Sequence, residues 1–534
     1  MTAFNCSSIL STFLLLGTLA GCGGGGGGAP STPVGPGGGS GSTDPTYTAG
    51  TYLATTHFAA HCAAPRTGTD PATGHSYPDV QGSVAWENNW IRSWVHDYYL
   101  WYRELPDLNP SSSTTTAAYF KLNKTSALTA SGSPKDKFHF TYSTAQWNSF
   151  VSSGATVDYG AHWVFVATTP PRALIVGYVD ANSPASGVNL TRGASVLAID
   201  GVDLVNANDQ ASVNTLNAGL SPTTVGESHQ FTILDPGAMA SRVVTLTAAN
   251  VTSLPVQNTQ VLQTANGPVG YLTFNDHIST AESGLALAIQ NFANAHVTDL
   301  VLDLRYNGGG LLDIASELAY MIAGPNQTQN GYFEKLAFND KYPTTDPITG
   351  QTITPTPFYS TASGNFSLSA GTQLPSLGLS RIVIIVGPDT CSASESVING
   401  LRGIGVNVVL VGGQTCGKPY GFYPEDNCGT TYFSIQFKGV NAQGFGDYTD
   451  GFIPANASNP NGGVPVNGCD VPDDYTHALG DPSEGKLSTA LGWLANGAAA
   501  CPMPAAVGMK TLLRETPRMK KPLWLMNRIL SNRR

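Results

Sequence analysis

The sequence contains few charged residues and little positive charge. Asp, Glu, Lys and Arg make up 12% of the 534 residues, and the net charge is -10. This acidic balance excludes a general nucleic-acid binder, because such proteins need a basic face to neutralise phosphates. After the N-terminus no apolar run reaches the length of a membrane-spanning helix, which excludes a polytopic membrane protein. Hydrophobic residues make up 41% of the chain, enough for a large core.

Several motifs of common enzymes are also missing. The sequence has no CxxC pair and no HExxH motif, so we predict no metal site and no cofactor. It has no GxSxG motif, so a Ser-His-Asp hydrolase would need a distant histidine such as His277, which we keep as an alternative. Gly412–Lys418 matches the start of a P-loop, but Pro419 follows where Ser or Thr would bind Mg²⁺.

The N-terminus has the pattern of an export signal. Residues 9–20 are largely apolar, and Gly21 and Cys22 follow them directly. This string resembles a bacterial lipobox, although residues 1–21 contain no Lys or Arg; a short buried helix is the alternative. The resemblance implies that 1–21 is a lipoprotein signal peptide and that Cys22 is lipidated. With Gly23 next, it implies a periplasm-facing protein of the cell envelope, anchored in the outer membrane.

The rest of the chain divides by composition. Residues 22–50 are rich in Gly, Pro and Ser and predict a tether. Residues 51–155 predict a helical region, because Trp86, Trp90 and Trp94 recur at helical spacing on one packing face. Outside the first 22 residues the cysteine count is even, which in an exported protein predicts disulfides without fixing their pairing.

Residues 156–255 contain short β-type runs and two informative strings, SPASGV at 183–188 and GASVLAIDG at 193–201. These strings resemble the PDZ domain of bacterial proteases, although Ala194 replaces the usual Asp. The resemblance implies a domain that binds a C-terminal tail as an added strand. A β-rich spacer without peptide binding is the alternative.

Residues 256–500 alternate apolar strands and helical stretches, which predicts an α/β layered domain. Predicted strands cover 270–274, 300–304, 382–386 and 406–411. Residues 501–534 form a basic tail with interleaved apolar residues. This tail fits a surface of anionic lipid, a solvated segment or a segment docked on the acidic body of the protein.

Two strings after strands carry residues suited to acyl transfer. TCSASESVI at 390–398 places serines at a strand-to-helix turn, where free backbone N–H groups favour developing negative charge. GGQTCGK at 412–418 supplies a lysine among apolar neighbours, and a neutral lysine can act as a base. A third string, DLRYNGGG at 303–310, offers glycine N–H groups that can approach a carbonyl closely.

In chain order, at 303–310, 390–398 and 412–418, the three strings resemble those of the C-terminal processing peptidases, or tail-specific proteases, which show LVLDLRxNxGG, SASE and GxxTxGK. The resemblance spans about residues 80–500. It implies a layered, crotonase-like αβ catalytic domain within a chain that is α+β overall. It also implies a Ser–Lys dyad of Ser392 as nucleophile and Lys418 as base, with Gly309 and Ala393 N–H groups forming the oxyanion hole.

We therefore expect a serine endopeptidase that cleaves protein or peptide substrates recognised through accessible C-termini, without fixing its oligomeric state. The alternative is a catalytically silent peptide-binding lipoprotein or adaptor with a PDZ domain. Gly403 and Phe422 stand where some family members carry an Asp and a Gln, so no third catalytic residue is assigned. If the dyad forms, Cys391 and Cys416 are neighbours, and a disulfide between them is a hypothesis.

Overall fold

The computed structural model describes residues 43–71, 73–457, 462–503 and 528–530. The predicted signal peptide, Cys22 and most of the tether lie outside the described residues, as does the basic tail apart from its first residues and 528–530. The contacts below lie within Asp44–Arg534, which clusters as one unit. Among the described residues, no helix combines the length and apolarity that a membrane span requires.

The N-terminal region is mainly helical, as predicted. In α2, Ser83 caps the first turn by accepting the N–H groups of Ala85 and Trp86. Trp90 and Trp94 are buried and stack at 5.3 Å, so the aromatic stripe is a packing face. The elements are α1 (Thr55–Phe58), β1 (His61–Cys62), β2 (Val80–Gln81), α2 (Val84–Tyr98), α3 (Thr116–Leu122), β3 (Phe140–Ser143) and α4 (Thr144–Ser153), with 3₁₀ turns at Tyr102–Glu104 and Pro110–Ser112.

The next region is β-rich and has its own hydrophobic core. Its main sheet has the antiparallel order β10-β9-β7-β6-β5, and Trp163 stacks on Phe231 at 5.4 Å inside it. The PDZ assignment of this region stays a prediction. The elements are β4 (Ala155–Asp158), β5 (Ala161–Ala167), β6 (Ala173–Val179), α5 (Pro184–Gly187), β7 (Ser195–Ile199), β8 (Val202–Asp203), α6 (Gln210–Leu220), β9 (Ser228–Leu234), β10 (Arg242–Thr247) and β11 (Ala249–Thr252).

The C-terminal region is a layered α/β structure, as expected from the strand and helix alternation. Its elements are β12 (Val256–Thr264), β13 (Gly267–Phe274), α7 (Ala281–Asn294), β14 (Asp299–Asp303), β15 (Gly309–Leu311), α8 (Leu312–Thr328), β16 (Lys335–Ala337), β17 (Arg381–Val386), α9 (Ala393–Gly403), β18 (Asn407–Gly412), β19 (Tyr420–Gly421), β20 (Glu425–Asn427), β21 (Thr430–Phe433), β22 (Phe437–Val440), β23 (Phe452–Pro454), β24 (Val464–Val466), β25 (Gly468–Asp470), α10 (Gly485–Asn496) and β26 (Arg528–Leu530), with a 3₁₀ turn at Gly497–Ala500.

The central sheet has the order β12-β13-β14-β17-β18-β25 and is parallel except for β12. Alternate residues of each strand enter opposite cores. Leu302 and Ile384 pack with helices α7, α8 and α9, whereas Val301 and Val383 pack with α10. Burial on both faces explains why these strands read as continuous apolar runs in the sequence.

The N-terminal region is joined to the C-terminal α/β region by strand pairing and by a disulfide. Strand β3 pairs with β21, and a disulfide joins Cys62 to Cys428. The aromatic core around Trp94 includes Cys391 and Tyr420, which belong to the loops that carry the predicted dyad. Together with Cys391–Cys416 and Cys469–Cys501, these bridges confirm the prediction that the six cysteines pair.

Candidate active site

The three sequence strings meet at one edge of the central sheet. Strands β14, β17 and β18 are parallel neighbours, and their carboxyl ends lead into residues 304–310, 387–392 and 413–418. In parallel sheets, the crevice beyond the carboxyl ends of the strands is the usual place for a ligand. The sheet order therefore brings the predicted nucleophile, base and glycine loop to the same edge.

Ser392 stands on a strained turn between β17 and α9. Its backbone has φ 62° and ψ -119°, a region that residues other than glycine rarely adopt. The residue is fully buried and directly precedes the first turn of α9, where backbone N–H groups lack helical partners. A sharp strand-to-helix turn of this kind also presents the nucleophilic serine of α/β-hydrolases.

The glycine loop is held against the nucleophile turn through Asn307. The carbonyl oxygen of Asn307 accepts the backbone N–H of Cys391 at 3.1 Å and the hydroxyl of Ser394 at 3.1 Å. Thr390 adds a third link, because its hydroxyl donates to the carbonyl oxygen of Leu304 at 2.8 Å. These bonds fix the position of the glycine loop relative to Ser392.

Glu395 joins the nucleophile turn to the lysine loop. Its Oε2 accepts the N–H of Ser392 at 3.0 Å and the N–H of Lys418 at 2.8 Å. Its Oε1 accepts the N–H of Gly417 at 2.9 Å and the hydroxyl of Thr415. Burial raises the pKa of the Glu395 carboxyl, and the four hydrogen bonds act in the opposite direction because they favour the carboxylate.

Two further contacts tie the lysine loop in place. The disulfide between Cys391 and Cys416 connects the residue before Ser392 with the loop that leads to Lys418, which confirms the disulfide hypothesis. The N–H of Cys416 donates to the carbonyl oxygen of Thr390 at 3.0 Å. Lys137 from the N-terminal region donates to the carbonyl oxygen of Cys416 at 2.9 Å.

Lys418 is fully buried in an aromatic setting. Its Nζ lies 4.1 Å from the ring centroid of Phe422 and 5.0 Å from that of Phe138. Phe422 thus contacts the lysine from the position where some family members have Gln. Phe138 shows that the N-terminal region forms one wall of the site.

Comparison with known proteins finds two family models that match parts of this chain. Residues 268–421 match the family model described as peptidase family S41, and residues 87–138 match the model of the peptidase S41 N-terminal domain. Residues 268–421 are thus similar to peptidase family S41, and the predicted resemblance to the C-terminal processing peptidases is confirmed.

A relative from Picosynechococcus sp., named carboxyl-terminal-processing protease, is 26% identical over 242 residues. The match covers 44% of this chain and 48% of that protein, so the chain spans about half the length of this relative. The structure of a putative S41 protease from Bacteroides fragilis aligns with a TM-score of 0.55 at 22% identity, covering 78% of this chain and 98% of that one. This second likeness concerns the fold.

A photosystem II D1 C-terminal processing protease aligns more weakly, with a TM-score of 0.41 at 17% identity over 74% of this chain and 97% of that one. We draw no argument from it.

The C-terminal α/β region brings the predicted catalytic residues to one edge of the sheet, but the predicted dyad is not hydrogen-bonded. Within the described part of the chain, Ser392 Oγ makes no hydrogen bond with Lys418 Nζ or with His277. The ring of His277 instead pairs through Nδ1 with the amide oxygen of Asn307 at 3.0 Å. Hydrogen bonds between catalytic groups are often long in unliganded enzymes, so the dyad stays a prediction.

The two predicted oxyanion donors are in different situations. Ala393 is the first residue of α9, so its N–H lies at the helix N-terminus beside Ser392. The N–H of Gly309 donates to Asn307 Oδ1 at 2.9 Å in this structure. A role for Gly309 in binding an oxyanion therefore requires that this internal bond be exchanged for the substrate.

Sequence reasoning assigned no role to Glu395 or Asn307. The spacing of Ser392 and Glu395 matches a capping box, S-x-x-E at a helix start, which is the signal that points to Glu395. Asn307 gives no local signal, because most of its partners, among them His277, Cys391 and Ser394, come from distant parts of the chain.

Arg305, in the same string as Asn307, is also structural. Its guanidinium is buried and forms ion pairs with Asp303, Glu484 and Asp473.

Proposed function

We propose that the C-terminal α/β region is a serine endopeptidase that uses Ser392 and Lys418 on protein chains presented by their C-terminal tails. The observation that carries this proposal is the shared acceptor Glu395, which binds the backbones of both residues. Together with the strained turn at Ser392, this contact makes a rigid frame for a nucleophile and a base.

The chemistry follows from the burial of the two groups. In its neutral form Lys418 takes the proton of Ser392 as Oγ attacks a peptide carbonyl, and the new C–O bond gives a tetrahedral oxyanion. Lys418 then gives the proton to the leaving amine as the C–N bond breaks, which leaves an acyl-enzyme. Water then attacks the ester with Lys418 again as base. This hydrolysis restores the Ser392 hydroxyl and releases the second product. The sequence of steps uses no metal or cofactor.

Charge on the oxyanion needs donors that are already oriented. The N–H of Ala393 meets this requirement at the start of α9, where the helix dipole also favours negative charge. Gly309 supplies the second donor when its N–H leaves Asn307 Oδ1. Substrate binding and completion of the oxyanion hole are then the same event, because the N–H exchanges one acceptor for the other.

Recognition and location complete the proposal. Residues 156–255 act as a PDZ domain that binds substrate tails at a sheet edge. The name of the Picosynechococcus relative, carboxyl-terminal-processing protease, supports action at C-termini. The N-terminal pattern ending at Cys22 supports a lipoprotein of the outer membrane that faces the periplasm.

The test is cleavage of an unstructured protein with an apolar C-terminus, followed by gel and mass spectrometry. We expect cleavage by the wild type and none by Ser392→Ala or Lys418→Ala. Ser394→Ala is the matched control, because it removes a neighbouring serine hydroxyl that donates to the carbonyl oxygen of Asn307; it should keep measurable activity. Binding of tail peptides without cleavage by any form, Leu530→Pro included, would favour the peptide-binding adaptor.

A further inference from the structure

The chain places its own C-terminal segment against the catalytic loops. Strand β26 runs parallel to β15, with Arg528 opposite Gly309, Ile529 opposite Gly310 and Leu530 opposite Leu311. The same strand also contacts α9, which begins directly after Ser392, and β19, which begins two residues after Lys418. The three residues of β26 thus lie among the segments that carry the predicted oxyanion donor, nucleophile and base.

The backbone of Gly310 is oriented to accept such a strand. His277 donates to the carbonyl oxygen of Gly309 at 3.2 Å and accepts the N–H of Leu311 at 2.7 Å. Because bonding groups alternate along a strand, the N–H and C=O of Gly310 face the opposite side, toward β26. In this register the carbonyl oxygen of Arg528 lies opposite the N–H of Gly310, and the N–H of Leu530 lies opposite the carbonyl oxygen of Gly310. The N–H of Ile529 faces away from β15.

A substrate needs the same space. A peptide whose carbonyl reaches Ser392 with its oxygen near Gly309 and Ala393 must run between β15, α9 and β19. We propose that the C-terminal segment is an inhibitory strand that occupies the substrate's place on β15 and competes with substrates in cis. This inference rests on the proposed function for its effect on activity, whereas docking of the strand is independent of catalysis.

Charge favours the chain's own tail as the occupant. The region around β26 carries a cluster of basic residues, Lys510, Arg514, Arg518, Lys520, Lys521, Arg528, Arg533 and Arg534, against one acid, Glu515. The whole chain has a net charge of -10, so the remainder of the protein is more acidic than this total. The opposite net charges of residues 510–534 and of the remainder therefore favour association of this segment with the same chain through long-range attraction.

The first experiment compares two proline variants of the full chain in the cleavage assay. Leu530→Pro removes the N–H that faces Gly310 and should raise kcat/KM about tenfold, the effect of losing roughly one backbone hydrogen bond. Ile529→Pro is the matched control, because its N–H faces away, and it should leave the rate near that of the wild type. Equal rates in all three proteins would overturn the inhibitory strand and leave the proposed function intact.

The second experiment measures docking without catalysis. A fluorescent peptide of residues 520–534 is titrated into full-length Leu530→Pro that also carries Ser392→Ala, and anisotropy reports binding. We expect binding that is weakened about tenfold by N-methylation at Leu530 and hardly changed by N-methylation at Ile529. No binding, or equal weakening by both methyl groups, would overturn the inference even if no form of the protein cleaves a substrate.

Discussion

Glu395 and Lys418 are joined by a backbone hydrogen bond of 2.8 Å, from the lysine N–H to Oε2 of the carboxylate. The same oxygen accepts the N–H of Ser392, so the two predicted catalytic residues share one acceptor. The position of each relative to the other is thus set by a buried carboxylate 23 residues before the lysine.

Glu395→Gln tests this frame. A glutamine has one acceptor oxygen and an NH₂ group, and the NH₂ group must face donors that the carboxylate oxygen accepted. We expect a loss of about 2 kcal/mol in the free energy of unfolding and a fall in kcat of ~10²-fold, with a smaller change in KM. Urea unfolding and steady-state kinetics check both effects; an unchanged kcat would show that Glu395 does not position the dyad.

Glu334 provides a contrast, because it is a buried acid with few hydrogen bonds. Burial raises the pKa of its carboxyl to about 7, and its Oε1 has no hydrogen-bond partner within the described residues. Between about pH 4.5 and 7 the folded protein holds this proton and the unfolded chain releases it, so stability falls as pH rises through that window.

Glu334→Gln should therefore stabilise the protein above pH 7, by up to about 3 kcal/mol, and have little effect near pH 4.5. Urea unfolding at pH 5 and pH 8.5 for both proteins measures the difference. Stability curves that stay parallel across this range would show that Glu334 does not titrate as described.

Lys418→Arg should be inactive although it keeps the positive charge. A guanidinium stays protonated at any pH the fold survives, so it cannot accept the proton of Ser392. Lys137→Arg is the control, because that lysine donates to the carbonyl oxygen of Cys416, a role that arginine can fill. Activity of Lys418→Arg close to that of the wild type would refute the base assignment.

The disulfide between Cys391 and Cys416 should matter for rate as well as stability. The double change Cys391→Ser with Cys416→Ser removes a covalent link between the nucleophile turn and the lysine loop, and kcat should fall about tenfold. The bridge between Cys469 and Cys501 spans 32 residues, close to the 25 of the first, so its loss should cost similar stability, about 3 kcal/mol. If removal of the second bridge lowers kcat as much as removal of the first, the link has no specific catalytic role.

Local patterns predicted the catalytic strands within a few residues. The apolar run of residues 300–304 corresponds to β14, and the run of residues 382–386 to β17, because strands buried on both faces leave an unbroken apolar signal. The strings around Ser392 and Lys418 follow such strands, so sheet order places them together. The pairing of Cys391 with Cys416 followed from that proximity.

Contacts between distant segments left no such signal. Phe138 reaches Lys418 from the N-terminal region, and the carbonyl oxygen of Asn307 accepts hydrogen bonds from Cys391 and Ser394. Strand β26 is too short for a β pattern and lies in a basic segment, where composition favours a solvated or surface-bound tail. Its pairing depends on the side of β15 that faces away from His277, which only the assembled fold creates.

The most direct test of the account is covalent labelling of the nucleophile. Full-length Leu530→Pro, in which the tail should not protect the site, is treated with a fluorophosphonate and mapped by peptide mass spectrometry. We predict one adduct per chain, on Ser392, abolished in Ser392→Ala and formed much more slowly in Lys418→Ala. An adduct on another serine, or equal labelling with and without Lys418, would contradict the Ser–Lys mechanism.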